Sequence, residues 1–183
     1  MSHNLWTIGH STRQAEEMIQ LLHAHGIRVL IDVRTIPRSR HNPQFNKETF
    51  IKSLRQAGLQ YVHAPELGGL RKSRADSTNL GWKNASFRGF ADYMQTDEFW
   101  QALDNLMTTA KQAPTAIMCA EAVPWRCHRS LIADALISKG WTVRHILTTA
   151  EAHLHQLTPF AKIQNGALTY PGSTEQSSTP RLF

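Results

Sequence analysis

Short apolar blocks alternate along the chain with segments of helical spacing, and this alternation predicts the architecture. LWTI (residues 5–8) is a brief apolar run closed by Gly9, after which Met18, Leu21 and Leu22 recur at helical intervals up to Gly26. Ser11 followed by Gln14 matches a capping box, so the first strand is expected to pass into the first helix at GHS. VLIDV (29–33) is apolar and β-branched, as a parallel strand buried on both faces should be, with Asp32 near its carboxyl end. TIPRSRHNPQF (35–45) holds two prolines and no periodicity and reads as a loop. NKETFIKSLRQAG (46–58) then reads as a helix with Asn46 as its cap and Gly58 just past its end, and LQYVH (59–63) as a third strand.

Residues 64–85 are polar and glycine-bearing over a length beyond an ordinary connection, which fits a lid, a binding loop or a disordered segment. Two helices follow, divided near Thr96, with Thr96 or Asp97 capping the second. TAIMCA (115–120) is a fourth strand, PWRCHRSLIADALISKG (124–140) a helix with Pro124 in its first turn, and WTVRHI (141–146) a fifth strand. The repeated order predicts a single α/β domain over residues 1–150, Rossmann-like, with a mainly parallel sheet of about five strands and helices on both faces. From about Thr148 the pattern fades, so residues 151–183 are expected to be a partly disordered C-terminal extension.

Composition narrows the class. A chain of 183 residues suits one domain with a core on both sides of a sheet. Its hydrophobic fraction of 41% includes no run of about 18 apolar residues, which excludes a helical membrane span and a membrane partner of that kind. The start, MSHNLWTIGHS, lacks the basic and apolar regions of a secretory signal, so a cytoplasmic location is expected. A net charge of +6 favours an anionic partner, either a small anionic substrate or nucleic acid. The positive charge gathers in RTIPRSRH, RKSR and RCHR.

Ligands of open parallel sheets bind beyond the carboxyl ends of the strands, and here those ends carry His10 and Ser11, Asp32 and Arg34, His63 and Glu66, and Cys119 and Glu121. Singly, a strand-end carboxylate usually caps a helix or pairs with arginine, and a cysteine on an apolar strand is usually core. Their arrival at one edge points instead to a ligand site. Arg34, Arg126 and Arg129 suit phosphate or carboxylate, and the helix starts beside them favour anions.

Cys119, Glu121, Cys127 and His128 are acceptable metal ligands, but Cys-x-Glu-x5-Cys-His is not a zinc-finger spacing, and adjacent Cys and His rarely aim at one ion. A catalytic metal site completed by His10 or His63 stays open. A disulfide between Cys119 and Cys127 is disfavoured in a reducing compartment. Either thiol would gain thiolate character from a helix start and from Arg126 or Arg129. The order VLIDVR and then AIMCAEAVPWRCHRS is similar to rhodanese domains and more loosely to cysteine phosphatases, although Trp125 stands where the phosphatase cradle has its arginine. GHSTRQ lacks the later glycines of a dinucleotide fingerprint, so NAD is disfavoured and no cofactor is identified.

Taken in order, TIGHS (7–11), IDVRTIPRSR (31–40), LGG (67–69), FADYM (90–94), CAE (119–121) and CHR (127–129) closely resemble the domain of unknown function 488 family over residues 5–147. The resemblance implies a cytosolic α/β domain whose motif residues are His10, Ser11, Asp32, Arg34, Pro37, Ser39, Arg40, Gly68, Gly69, Cys119, Glu121, Cys127, His128 and Arg129. The expected function is that of an enzyme, a hydrolase or transferase, acting on a phosphate-bearing ligand related to nucleotides or nucleic acid. Arg34 and Arg129 would hold the anion, together with Ser11, Ser39, Arg40, Gly68 and Gly69. Glu121 or Asp32 would be the base, His10 or His128 the acid or donor, and LGG would let the 64–85 loop close. The alternatives are a rhodanese-like or other cysteine-dependent transferase using Cys119 or Cys127, and a basic nucleic-acid-binding module using Arg38, Arg40, Arg71 and Arg74.

Overall fold

The computed structural model describes residues 3–172. Its elements are β1 (Asn4–Gly9), α1 (Ala15–Ala24), β2 (Val29–Asp32), α2 (Lys47–Gln56), β3 (Gln60–His63), α3 (Ala85–Tyr93), α4 (Asp97–Gln112), β4 (Thr115–Cys119), α5 (Arg129–Ser138), β5 (Thr142–Ile146), β6 (His153–Leu154), β7 (Lys162–Gln164) and β8 (Ala167–Thr169). The sheet runs β3-β2-β4-β1-β5-β6, parallel except for β6, while β7 and β8 form a separate antiparallel pair. The expected Rossmann-like α/β class is what the chain adopts, with one more strand at the edge than the apolar blocks announce.

Because successive strand residues face opposite ways, each central strand feeds two cores. Ile8, Leu30, Ala116 and Met118 pack with α1 and α2, through Met18, Leu22, Phe50 and Leu54. Leu5, Val29, Ile31, Ile117 and Val143 pack on the other side with α3, α4 and α5, through Phe90, Phe99, Leu103, Leu131 and Leu136. No helix among the described residues is long and apolar enough to cross a membrane.

Three local expectations change. Helix α1 starts at Ala15 after Gln14, without a side-chain cap. Ser11 instead adopts a left-handed backbone (φ 49°) and gives its amide to the Ala120 carbonyl, so GHS serves the neighbouring strand rather than the helix. The helix expected from Pro124 is interrupted: Pro124–Arg126 is one 3-10 turn, Cys127 is extended (φ −133°, ψ 143°), and α5 begins at Arg129. Asn46 stands at the start of α2, but its side chain accepts the Ser39 amide at 2.8 Å and pins the preceding loop. Thr96 does cap α4, accepting from the Phe99 amide.

The long 64–85 segment is ordered by Asp92 of α3. Its buried carboxylate accepts from the Arg74 amide (2.8 Å), the Ser77 hydroxyl and the Asn79 side chain (2.8 Å), and the Asn79 oxygen accepts the Tyr170 amide at 3.0 Å. One buried acid therefore ties the loop to the helix and to the C-terminal segment. Gly89 permits this, since a Cβ there would collide with the Arg71 carbonyl.

The segment after Thr148, where the sequence pattern fades, is packed as far as Gly172; residues 173–183, expected as a loose tail, lie outside the described residues. It is held by polar contacts that hydrophobic periodicity does not reveal. Asp134 of α5, wholly buried, accepts from Tyr170 Oη (2.8 Å), His155 Nε2 (2.8 Å) and the Thr158 amide (3.0 Å). His155 Nδ1 accepts from His145 Nε2 (2.9 Å), His145 Nδ1 from the Thr7 hydroxyl (2.7 Å), and Thr7 Oγ1 from Arg129 (3.3 Å). Every donor in this chain points from Arg129 toward the Asp134 carboxylate, which requires a neutral His145.

Burial first, and then the neighbouring His155 and Arg129, push the His145 pKa down to about 3. The unfolded chain, with an ordinary histidine pKa near 6.5, binds the proton more readily. Stability from this group is therefore complete above about pH 6.5 and falls as the pH drops toward the folded pKa, by roughly 1.4 kcal/mol per pH unit. Urea unfolding at pH 7 and pH 5 is expected to show a loss of about 2 kcal/mol from His145. That part of the loss should be missing in His145→Gln; an equal loss in the variant would assign it elsewhere.

Candidate functional site

Strands β1 and β4 are neighbours, yet α1 leaves to one face of the sheet and α5 to the other. Such a point of divergence leaves a crevice beyond the carboxyl ends of the two strands. A cleft of about 790 Å³ lies there, lined by residues 10–12, 34–36, 119–122 and 126–128, with Arg38, Ser39, Asn42, Gly69, Leu70, Asn84, Ser86 and Phe87. Gly9 makes the crossing possible: a Cβ would collide with the Glu121 carbonyl. The His10 and Ser11 amides then continue the ladder onto Cys119 and Ala120, both at 2.9 Å.

On one wall, Asp32 and Arg34 form a buried ion pair. Arg34 reaches Asp32 through Nε (2.9 Å) and Nη2 (2.6 Å), and the Arg34 amide (3.0 Å) and Tyr61 hydroxyl (2.7 Å) also donate to the carboxylate. Carboxylate lone pairs engaged in this way leave none to take a proton from a substrate. Arg34 also donates to the Phe45 carbonyl (2.8 Å) and to His10 Nε2 (3.2 Å). Both side chains thus build the floor of the site, where the sequence suggested a base and an anion ligand.

His10 stacks on Phe45 with ring centroids 4.3 Å apart and donates from Nδ1 to the Ser11 carbonyl at 2.8 Å. Burial pushes its pKa down to about 4; the Ser11 carbonyl works the other way, and the Arg34 charge adds to the lowering. Neutral, and accepting from Arg34 on its other nitrogen, His10 is a fixed wall rather than an acid at neutral pH.

Ser39 accepts the Asn42 amide on its hydroxyl (3.0 Å), and the Pro37 carbonyl accepts from Lys47 (3.0 Å), so the DVRTIPRSR motif largely shapes its own loop. Arg40 is exposed and outside the cleft wall. Gly68 and Gly69 are close-contact glycines: a Cβ on Gly68 would meet the Thr35 side chain, and one on Gly69 would lie 2.6 Å from His128 Nδ1. They bring the 64–85 segment against the site. His63 and Glu66 are not in the cleft; His63 donates to the Arg34 carbonyl at 2.9 Å, and both flank a second groove beside β3 and α4.

The opposite wall carries both cysteines. Arg129, 1% exposed, donates from Nε to Cys127 Sγ (3.3 Å), from Nη1 to Thr7 Oγ1 (3.3 Å) and from Nη2 to the Glu121 carbonyl. Its guanidinium supports the cysteine and the strand exit, so it does not face a ligand as the sequence suggested. His128 donates from Nε2 to the Leu67 carbonyl at 3.0 Å, leaving Nδ1 3.7 Å from Cys127 Sγ. The hydrogen bond shared with Cys119, then His128 and Arg129, lower the Cys127 pKa to about 3 against the effect of burial. The same bond and burial raise Cys119 well above its usual value. Cys119 Sγ, Cys127 Sγ and a ring nitrogen of His128 all lie within 4.8 Å of one another.

What stays open to a ligand is a smaller set. Glu121 is exposed, with one carboxylate oxygen near the Val123 amide (3.4 Å), and Arg126 is exposed at the cleft mouth. Arg38 is 73% exposed, in a loose 3.7 Å pair with Glu48. Ile36 and Leu70, 63% and 71% exposed, give the mouth an apolar lip, and Phe87 adds an aromatic wall. Sequence reasoning missed Thr35, Asn42 and the start of α3. Asn84 carried a legible signal as a helix cap, accepting from the Ser86 and Phe87 amides, but nothing local says that this helix end meets the cleft.

A mainly parallel α/β sheet with a polar crevice where its connections diverge defines the class: a Rossmann-like protein with one candidate site at the β1–β4 exit. The chain belongs to the family described as Domain of unknown function DUF488, whose model matches residues 14–136, about two thirds of its length. No curated protein and no solved structure matches it.

Proposed function

We propose that this protein is an enzyme acting on a small phosphate-bearing substrate, of nucleotide or nucleic-acid-end chemistry, held in the cleft. The observation that carries this reading is the set of exposed groups lining it: the Glu121 carboxylate, the Arg126 guanidinium, Arg38 in its loose pair with Glu48, and an apolar lip beside them. Arginines suit the planar, bidentate recognition of phosphate, and Ile36, Leu70 and Phe87 suit a base or other flat apolar body. Glu121 takes the part of general base, because Asp32 is engaged by Arg34 and Tyr61. A cytoplasmic setting fits two free thiols at such a site.

The nucleic-acid-module reading loses ground because two of its four arginines, Arg71 and Arg74, are engaged within the protein. Arg71 lies over the Tyr93 ring at 3.6 Å and donates to the Glu66 and Gly68 carbonyls, and Arg74 pairs with Asp76 at 2.8 Å.

Thermal unfolding against phosphate, sulfate, nucleoside mono-, di- and triphosphates and short oligonucleotides tests the proposal, since a ligand that binds only the folded state raises its stability. One phosphate-bearing class is expected to give a shift. Arg126→Ala should weaken that ligand roughly 10- to 100-fold, as loss of a charged hydrogen bond does. Glu121→Gln should keep the shift and lower turnover by about 100-fold or more. No shift with any member of the panel would remove the proposal.

A further inference from the structure

We propose that Cys119, Cys127 and His128 form a binding site for a zinc-class divalent cation, with an open coordination position facing the cleft. The inference deepens the enzyme reading and rests on it only for the use of the open position; the cation site itself stands on the three side chains.

Two sulfurs and an imidazole nitrogen are soft-to-borderline donors, suited to zinc or cuprous ions and poorly suited to magnesium or calcium. Bonds of about 2.3 Å to sulfur and about 2.0–2.1 Å to nitrogen put ligand atoms of a tetrahedral site roughly 3.5–3.8 Å apart. Cys127 Sγ and His128 Nδ1 are already 3.7 Å apart, and all three ligand atoms fall within 4.8 Å. Neighbouring residues seldom converge in this way. Here the extended backbone of Cys127, between the 3-10 turn and α5, brings the Cys127 and His128 side chains together.

The surroundings are also those of a built ligand set. A metal-bound histidine usually gives its other N–H to a carbonyl or carboxylate, which fixes the ring and frees the coordinating lone pair. His128 does so, donating to Leu67 from Nε2 and presenting Nδ1 to Cys127, with Gly69 close against the ring and Phe90 edge-on at 5.0 Å. The Arg129 Nε–H bond to Cys127 Sγ supports thiolate character, and Arg129 is itself held by Thr7 and the Glu121 carbonyl. All three ligands line the cleft. Three protein ligands with a fourth position open to a substrate pocket is the pattern of a catalytic rather than a structural zinc site. Glu121, on the same cleft wall, would stand beside a water or substrate oxygen in that position.

The test uses the metals alone. Protein stripped of metal under reducing conditions is titrated with Co²⁺, followed by absorbance, and Zn²⁺ is then added in competition with a chromogenic chelator. One equivalent of Co²⁺ is expected to give thiolate-to-cobalt charge-transfer absorption, and Zn²⁺ to displace it. Cys119→Ser, Cys127→Ser and His128→Ala should each weaken binding by more than the roughly 10- to 100-fold that loss of an outer-shell partner costs. His41→Ala, at an exposed position that does not line the cleft, should bind as the wild type does. Circular dichroism of each metal-free variant separates lost binding from lost folding.

Absence of the charge-transfer band, or binding unchanged in folded Cys127→Ser and His128→Ala, would overturn the site. So would alkylation of Cys127 that proceeds equally fast with saturating Zn²⁺, which would leave a free thiol nucleophile instead. A phosphate-ligand shift in metal-free protein without a cobalt band would remove the cation site and keep the proposed function. A cobalt band with no ligand shift would do the reverse.

Discussion

Asp32→Ala is expected to destabilise the protein by about 3–5 kcal/mol, because it leaves the Arg34 charge buried without its partner. Asp32 is wholly inaccessible, and Arg34 is 6% exposed with its remaining contacts to a carbonyl and a neutral imidazole. Neither contact carries the negative charge that the guanidinium loses. Urea denaturation would measure the cost, and a second variant identifies its cause. If the unpaired charge is responsible, Asp32→Ala combined with Arg34→Met should be more stable than Asp32→Ala alone. A double variant no better than the single would place the damage in the loops that Asp32 and Arg34 organise. Either way the measurement concerns folding, which is why Asp32 is a poor probe of catalysis.

Asp134→Ala is expected to remove at least about 3 kcal/mol, since an unsatisfied buried donor costs about 1–3 kcal/mol and this change orphans several at once. Tyr170 Oη, His155 Nε2 and the Thr158 amide would all lose their acceptor. The loss should also be local. Hydrogen exchange of residues 153–170 is expected to rise far more than that of β1, β2 and β4, whose ladders do not depend on this acid. Protection retained across 153–170 in the variant would mean that the β5–β6 ladder and the packing of Leu168 and Tyr170 hold the segment unaided.

The α/β class was legible because it depends on local order. Apolar runs and helical spacing mark β1 to β5 and α1 to α5 within a few residues, and the strand ends fall where the motif residues cluster. Cys119, Glu121, Cys127 and His128 were named together from one short stretch, and they do share a wall of the cleft. Their convergence was not legible, since it turns on the break in the helix at Cys127, where a proline-led 3-10 turn ends at Arg126 and α5 does not begin until Arg129. Nor was the segment from Ala152 to Tyr170, which has almost no periodicity and is held by a few buried polar atoms.

Sequence by itself determined which residue types reach the carboxyl edge of the sheet, because strand and helix periods are properties of neighbouring residues. Only the tertiary structure decided what each of them does there. The Arg129 partner Thr7 lies 122 positions away and the Thr7 partner His145 lies 138 away. Whether an arginine meets a ligand, a carboxylate or a thiolate is settled by which groups the folded chain sets within hydrogen-bonding reach. For Arg34 and Arg129 those groups are the protein's own, whereas Glu121, Arg38 and Arg126 line the cleft with exposed side chains.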